Sequence, residues 1–250
     1  MPNSSLSIIV PAFNEEERLG TSLQKILVYM TEQVPAAELI VVDDGSTDST
    51  IEVAEKTFAE FPALQTKVIG YDKNRGKGFA VRKGLLKSTG DIALFSDADL
   101  STPITELPKL VEPIKSGKYD VTFGSRALDR TLIETHQSWH REQGGKVFNL
   151  IVRSLTGLPF WDTQCGFKAF KMRKFRPLLE LMTINRFGFD VEFIYVAKLR
   201  GLQLKEIPVR WSHFDGTTLN FTRESRRMFN EVRKIRRNAK RGIYDKIDKT

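Results

Sequence analysis

Between residues 6 and 125 the chain alternates two apolar patterns. Short continuous runs at 6–13, 39–42, 67–69, 92–95 and 120–124 read as buried strands. Between them apolar residues recur at spacings of three and four. Leu19, Leu23, Ile26, Leu27 and Met30 form one such set; Val53, Ala54 and Phe58 a second; Val81, Leu85 and Leu86 a third; Leu107, Leu110, Val111 and Ile114 a fourth. Each set makes one helical face. Ser46, Thr47 and Asp48 are competent N-caps for the second helix, and Pro103 suits the first turn of the fourth. Strand and helix in alternation, with strands that are mostly continuous apolar runs, predicts an α/β fold: a mostly parallel sheet with helices on both faces.

Beyond Arg126 the pattern loosens. Residues 129–145 are polar, carry His136, His140 and Arg141, and read as a loop. A helix is expected at 146–155 (Val147, Phe148, Leu150, Ile151), a polar turn at 162–168 entering Ala169-Phe170, a helix at 190–199 (Val191, Ile194, Tyr195) and a strand at 204–211. From 223 to 246 Arg and Lys dominate, with Met228, Phe229, Val232 and Ile235 spaced as one helical face. The expected organisation is a domain at 1–221 followed by a basic helical extension at 222–250. That extension reads as a solvated surface helix, as an anchor on anionic lipid headgroups with Met228, Phe229 and Val232 dipping in, or as a nucleic-acid contact.

In a parallel α/β sheet, ligands bind beyond the carboxyl ends of the strands. Asn14, Glu15, Asp43, Asp44, Asp97, Asp99 and Arg126 all fall at predicted strand ends. Asp97 and Asp99, one residue apart, project to the same side of an extended segment. Two carboxylates that close repel unless a cation sits between them, and Mg²⁺ or Mn²⁺ would bind them together with phosphate oxygens. The alternative is a solvated turn. Lys77, flanked by Gly76 and Gly78, could approach a nucleotide closely, or sit in an ordinary turn.

Composition narrows the class. Of 250 residues, 40% are hydrophobic and 28% charged, as in a globular domain. No apolar run reaches the roughly 18 residues that span a bilayer, and the polar start is no signal peptide. The single cysteine, Cys165, excludes an internal disulfide, which fits a reducing cytoplasmic location. It reads as a packed small residue. A net charge of +8 suggests an anionic partner. An RNA-binding module is disfavoured, because acidic residues at the strand ends would repel a phosphate backbone.

Ile9-Val10-Pro11-Ala12-Phe13-Asn14-Glu15-Glu16, Val41-Val42-Asp43-Asp44-Gly45-Ser46-Thr47-Asp48, Asn74-Arg75-Gly76-Lys77-Gly78 and Asp97-Ala98-Asp99 together resemble glycosyltransferase family 2, of GT-A (Rossmann-like) fold. Gly124-Ser125-Arg126, 162–168 and Phe189-Asp190-Val191-Glu192 look like the dolichyl-phosphate (polyprenyl-phosphate) β-glucosyltransferase branch, related to the dolichyl-phosphate mannose synthases. The resemblance covers roughly residues 6 to 215. It departs from the mannose synthases at Ser101, where they carry a Gln that can help bind metal; Ser101 is a weaker ligand.

The resemblance implies inverting, metal-dependent transfer of a hexose, glucose from UDP-glucose foremost, to a lipid phosphate at the cytoplasmic face of a membrane. Another donor such as GDP-mannose or UDP-GlcNAc, or a soluble acceptor, stays open, as does oligomeric state. By the same resemblance the nucleotide sugar is held by Pro11, Phe13, Glu15, Asp43, Asp44, Lys77, Asp97, Ala98 and Asp99. The metal falls to Asp97, Asp99 and Ser101, with His213 as a further candidate. A lipid monophosphate with a second pKa of about 6 is already a nucleophile at neutral pH, so positioning cations matter more than a base. Arg126 and Arg141 are expected to grip it, with His140 and Lys146 as competing choices. Asp162, Gln164 and Asp190 are expected at the sugar, and Asp162 could serve as a base for a hydroxyl acceptor. Asp99, Arg126, Arg141 and Asp162 are thus the expected catalytic set.

Overall fold

The computed structural model describes residues 5–135, 139–213 and 221–245, and the side chains within them except at 139–141 and 221–225. In chain order the elements are β1 (Leu6–Ala12), α1 (Leu19–Gln33), β2 (Glu38–Asp43), α2 (Thr50–Ala59), β3 (Gln65–Ile69), α3 (Lys77–Lys87), β4 (Ile92–Ser96), α4 (Leu107–Lys115) and β5 (Val121–Ser125). Then follow β6 (Ile133–Thr135), α5 (Trp139–Thr156), β7 (Phe167–Lys171), α6 (Met172–Leu179), α7 (Phe189–Leu199), β8 (Leu204–Pro208), β9 (Trp211–Ser212) and α8 (Phe221–Lys240). The main sheet runs β3-β2-β1-β4-β7-β5-β8, with β6 and β9 paired apart. Its pairings are parallel except those of β7, which is antiparallel to both β4 and β5.

Strand periodicity divides the core in two. Ile8, Val10, Leu39, Val41 and Leu94 face α1, α2 and α4. Ile9, Ile40, Val42, Ala93 and Phe95 face the opposite layer, built by α3, α5, α6, α7 and α8. Successive residues of β1, β2 and β4 thus alternate between two apolar layers, and continuous hydrophobic runs follow. Phe95, Phe170, Phe175, Phe189 and Phe193 pack ring on ring in the second layer. Burying each such side chain contributes roughly 2 kcal/mol.

The second half departs from the expectation. Residues 167–171 form a full strand inside the sheet rather than the end of a turn, because Lys168 interrupts the apolar pattern of β7 yet is itself buried. The helix expected at 146–155 begins at Trp139, through Gly144 and Gly145, which read as loop residues. Residues 204–211 break at Val209-Arg210 into β8 and β9. Helix α2 is preceded by Ser49 with no side-chain cap; Asp48 instead accepts the Thr50 N–H at 3.1 Å. Val232 and Ile235 of α8 are fully buried with Tyr244 in the second layer, so Val232 is not available to a lipid, whereas Phe229 is exposed. Among the described residues no helix is long and apolar enough to cross a membrane.

Candidate active site at the carboxyl edge of the sheet

Strand β4 delivers Asp97 and Asp99 into a tight turn. The Asp97 N–H donates to the Gly166 carbonyl (3.1 Å), and the Asp97 carbonyl accepts from the Leu100 N–H (3.1 Å). Leu100 adopts φ 48°, a left-handed conformation that costs a leucine about 1–2 kcal/mol, and is held there by its buried side chain. The turn brings the Ser101 N–H back onto Asp99 Oδ1 at 2.9 Å. Ser101 is thus tied through its backbone, its carbonyl accepting from Ser212 N–H at 2.8 Å. Gly166 lets the strand pass under Asp97: a Cβ there would lie 2.1–2.3 Å from the Asp97 carboxylate atoms. Ala98 is buried in the first core layer, so its side chain packs rather than lining a cavity.

Alternating charges run beneath this turn. Lys77 Nζ, in the first turn of α3, lies 2.6 Å from Asp97 Oδ1. Burial opposes its charge, but Asp97, Asp190 and Asp99 outweigh that and hold its pKa above the ordinary lysine value. Asp190, at the start of α7, is paired with Lys168, whose ammonium is completely buried and also donates to the Cys165 carbonyl at 2.5 Å. Burial raises the Asp190 pKa despite both lysines. Asp97, Lys77, Asp190 and Lys168 are therefore a ladder of opposite charges, partly exposed at Asp97 and Lys77 and buried at Asp190 and Lys168. Asp190, expected at the sugar, lies within it, 5% exposed.

Asp97 Oδ1 is buried, with the Lys77 ammonium 2.6 Å away as its counter-charge. Among the described residues no third His, Cys, Asp or Glu joins the pair in a metal-ligating cluster, His213 included. Two carboxylates in one turn, with Lys77 as the resident counter-charge of Asp97, fit a hard divalent cation whose other ligands come from a substrate diphosphate or water. A cation missed by sequence reasoning faces the same carboxylates: Arg18, paired with Glu15 through both carboxylate oxygens, has its pKa raised by that hydrogen bond and, more weakly, by Asp99 and Asp97. Its signal was a single arginine closing the acidic run after β1.

The other strand ends shape the loops around the cavity. Asp43 accepts from the Gly45 and Ser46 N–H groups and the Ser46 hydroxyl. Asp44 accepts four hydrogen bonds from one neighbouring loop: the Tyr71 hydroxyl (2.7 Å), the Asn74 side-chain amide (2.9 Å), the Arg75 N–H (2.8 Å) and the Gly76 N–H (2.7 Å). Both aspartates are buried and satisfied by the protein itself. Gly76 holds φ 104°, which only glycine takes up readily, and its turn starts α3 at Lys77. Pro11 is buried in β1, while Phe13, just past it, is 42% exposed.

Arg126 follows β5 on the same edge. Its guanidinium grips Asp162 with Nε to Oδ2 at 2.7 Å and Nη2 to Oδ1 at 2.9 Å. The Arg126 and Gln164 N–H groups complete the carboxylate's set. Burial works against the Asp162 charge, but Arg126 overrides it and brings the pKa down to about 2. A carboxylate that acidic, with every oxygen engaged, is a poor base. Glu206 of β8 fixes the pair from below, accepting from Ser125 Oγ and the Asp162 N–H, both at 2.7 Å. The Asp97 N–H bonds Gly166, four residues after the Asp162 that holds Arg126, so the 162–166 turn ties the acidic pair and the arginine to one edge of the sheet.

Gln164 points at α8, its Nε2 3.9 Å from Met228 Sδ. Lys146 is exposed on α5. His136 and the side chains of His140 and Arg141 lie outside the described residues.

The Glycosyl transferase family 2 model matches residues 7–179, spanning β1 through α6 and with them the Asp97–Asp99 turn, Lys77, Arg126 and Asp162. The chain belongs to glycosyltransferase family 2. Among family members, it is 36% identical over 229 residues to the dolichyl-phosphate beta-glucosyltransferase of Drosophila melanogaster, covering 87% of this chain and 70% of that one. The Homo sapiens enzyme of that name is 34% identical at the same coverage, and the Saccharomyces cerevisiae enzyme 32% identical, covering 96% and 76%. A crystal structure of glucosyl-3-phosphoglycerate synthase from Mycobacterium tuberculosis with Mn²⁺, UDP and phosphoglyceric acid superposes with a TM-score of 0.69 at 20% identity, over 93% of this chain and 77% of that one. That likeness is one of fold, and it agrees with the GT-A architecture expected from the sequence.

Proposed function

We propose that this glycosyltransferase moves glucose from UDP-glucose to a polyprenyl or dolichyl phosphate, inverting the anomeric configuration. One observation carries the reading. A carboxylate pair after β4 and an arginine after β5 stand on one sheet edge, both fastened to the 162–166 turn: Asp97 through Gly166 and Arg126 through the buried Asp162. Such an edge suits two anions at once, a donor diphosphate and an acceptor phosphate. The names of the curated relatives supply the sugar and the lipid.

Asp97 and Asp99 would hold Mg²⁺ or Mn²⁺, which when bound neutralises the leaving diphosphate. Lys77 and Arg18 add fixed positive charge beside it. Phe13 and Glu15 frame the nucleoside, and Asp44 acts by holding the 71–76 loop in place. Arg126 orients the acceptor phosphate, with Arg141 and Lys146 as further cations. The acceptor phosphate attacks as the dianion, so Asp162 serves as a positioning residue for Arg126 rather than as a base. Gln164 is left as the candidate sugar contact. The basic outer face of α8, with exposed Phe229, would approach anionic headgroups at the cytoplasmic side of a membrane.

The direct experiment incubates the protein with Mn²⁺, a short polyprenyl phosphate and radiolabelled UDP-glucose, GDP-mannose or UDP-GlcNAc. Label entering the lipid fraction from UDP-glucose alone supports the reading. Transfer only from another donor, or only to a soluble acceptor, replaces it.

A further inference from the structure

Beside the carboxyl edge of the sheet, a cleft of about 420 Å³ that includes neither Asp97, Asp99 nor Arg126 opens between the loop before α3, the segment joining α6 to α7, and α8. Its lining includes Arg75, Asn185, Arg186, Arg227, Glu231 and Lys234. Four cations from three separate segments meet one carboxylate, and that carboxylate already accepts the Gly188 N–H at 2.7 Å. Arg75, Arg186 and Lys234 make no ion pair among the described residues.

The cations are placed by the fold. The Arg75 N–H is bound to Asp44, and its guanidinium lies 4.7 Å from the centre of the Phe79 ring. Lys234 Nζ reaches the Thr183 carbonyl at 3.4 Å. Asn185 is held through its side-chain oxygen by Arg82 at 3.0 Å. Like charges gathered in one concavity repel, and the repulsion is relieved by an anion that several of them can share. Guanidinium forks and an ammonium match the oxygens of a phosphate.

We propose that this cleft is a second anion site that binds a phosphate group, either free or as the headgroup of an anionic phospholipid. It is separate from Arg126 and from the Asp97–Asp99 pair. It requires neither the donor nor the acceptor named above.

The test uses the full chain and its Arg186→Gln, Lys234→Gln and doubly substituted forms. Inorganic phosphate is titrated by calorimetry, and vesicles of phosphatidylcholine with and without phosphatidic acid are tested by flotation. Arg126→Gln serves as the control for the acceptor site. Saturable phosphate binding weakened about tenfold or more by the double substitution, and unchanged in Arg126→Gln, supports a free-phosphate ligand. Flotation that needs phosphatidic acid and is lost in the same variants supports a headgroup. Binding of neither probe, or binding indifferent to Arg186 and Lys234, overturns the proposal. Lys234 is exposed, so Lys234→Gln alone keeps the fold and decides the case if the double variant does not fold. Transferase turnover is expected to stay unchanged in the single variants.

Discussion

Arg126 and Asp162 bind each other through two parallel hydrogen bonds, while the arginine's side chain keeps 30% of its surface open and the aspartate's only 2%. The pair is therefore one-sided: the carboxylate is sealed beneath, and the guanidinium, 5.5 Å from the centre of the Trp211 ring, keeps part of its surface open to solvent. Asp162→Asn should release the guanidinium. The expected result is a raised acceptor KM with Mn²⁺-dependent UDP binding retained, measured by steady-state kinetics and nucleotide titration. Loss of turnover at unchanged acceptor KM would instead mark Asp162 as a base.

The same pair gives a pH dependence. The Asp162 pKa is depressed to about 2, so its stabilisation is complete above the ordinary carboxylate value of about 4 and is lost as pH falls toward 2. The shift corresponds to about 2 kcal/mol. Urea unfolding from pH 6 to pH 2 should show the gap between wild type and Asp162→Asn closing at the acid end. A gap independent of pH would contradict the ionised pair.

Lys168 and Asp190 are both buried, and neither can be removed singly without leaving a bare charge. Asp190→Asn should cost about 3–5 kcal/mol, seen as a melting temperature lower by roughly 10 °C. Lys168→Met combined with Asp190→Leu should recover most of it. If Asp190→Asn melts with wild type, the ladder is not as described.

Gly166→Ala tests the close approach under Asp97. The new methyl group displaces a side-chain carboxylate rather than backbone, so stability should stay within about 1 kcal/mol of wild type. Mn²⁺-dependent UDP binding should nonetheless be lost. Retained binding in a folded variant would show that the Asp97 position is not needed.

Lys77→Gln removes the ammonium from between Asp97 and Asp190. Nucleotide-free protein should then take up Mn²⁺ several-fold more tightly, because a competing cation is gone, while turnover falls. Weaker Mn²⁺ uptake, read by titration, would contradict the competition.

Why the first half of the chain could be read directly while the second could not has a physical cause. In β1, β2 and β4 both faces are apolar, so each strand is a continuous hydrophobic run with its chemistry at the end. Strand β7 carries Lys168 into the interior, where Asp190 neutralises it, and that partner is 22 residues away in sequence. No local pattern can show such compensation. The same holds for Asp44, whose carboxylate is used by a loop some 30 residues on, and for Asp162, whose partner Arg126 lies across the sheet edge. The sequence places Asp97, Asp99 and Arg126 at strand ends, whereas the partners that Asp44, Asp162 and Asp190 hold in place are visible only in the structure. Arg18 and Gly166 were missed because their importance lies in what approaches them.

The central claim is that one sheet edge handles two anions through separate groups, and the most direct measurement compares Asp99→Asn with Arg126→Gln in parallel Mn²⁺–UDP titrations and acceptor kinetics. Asp99→Asn should lose nucleotide binding, while Arg126→Gln should keep it within about twofold and raise the acceptor KM about tenfold or more. Equal losses of both functions in both variants would contradict the claim.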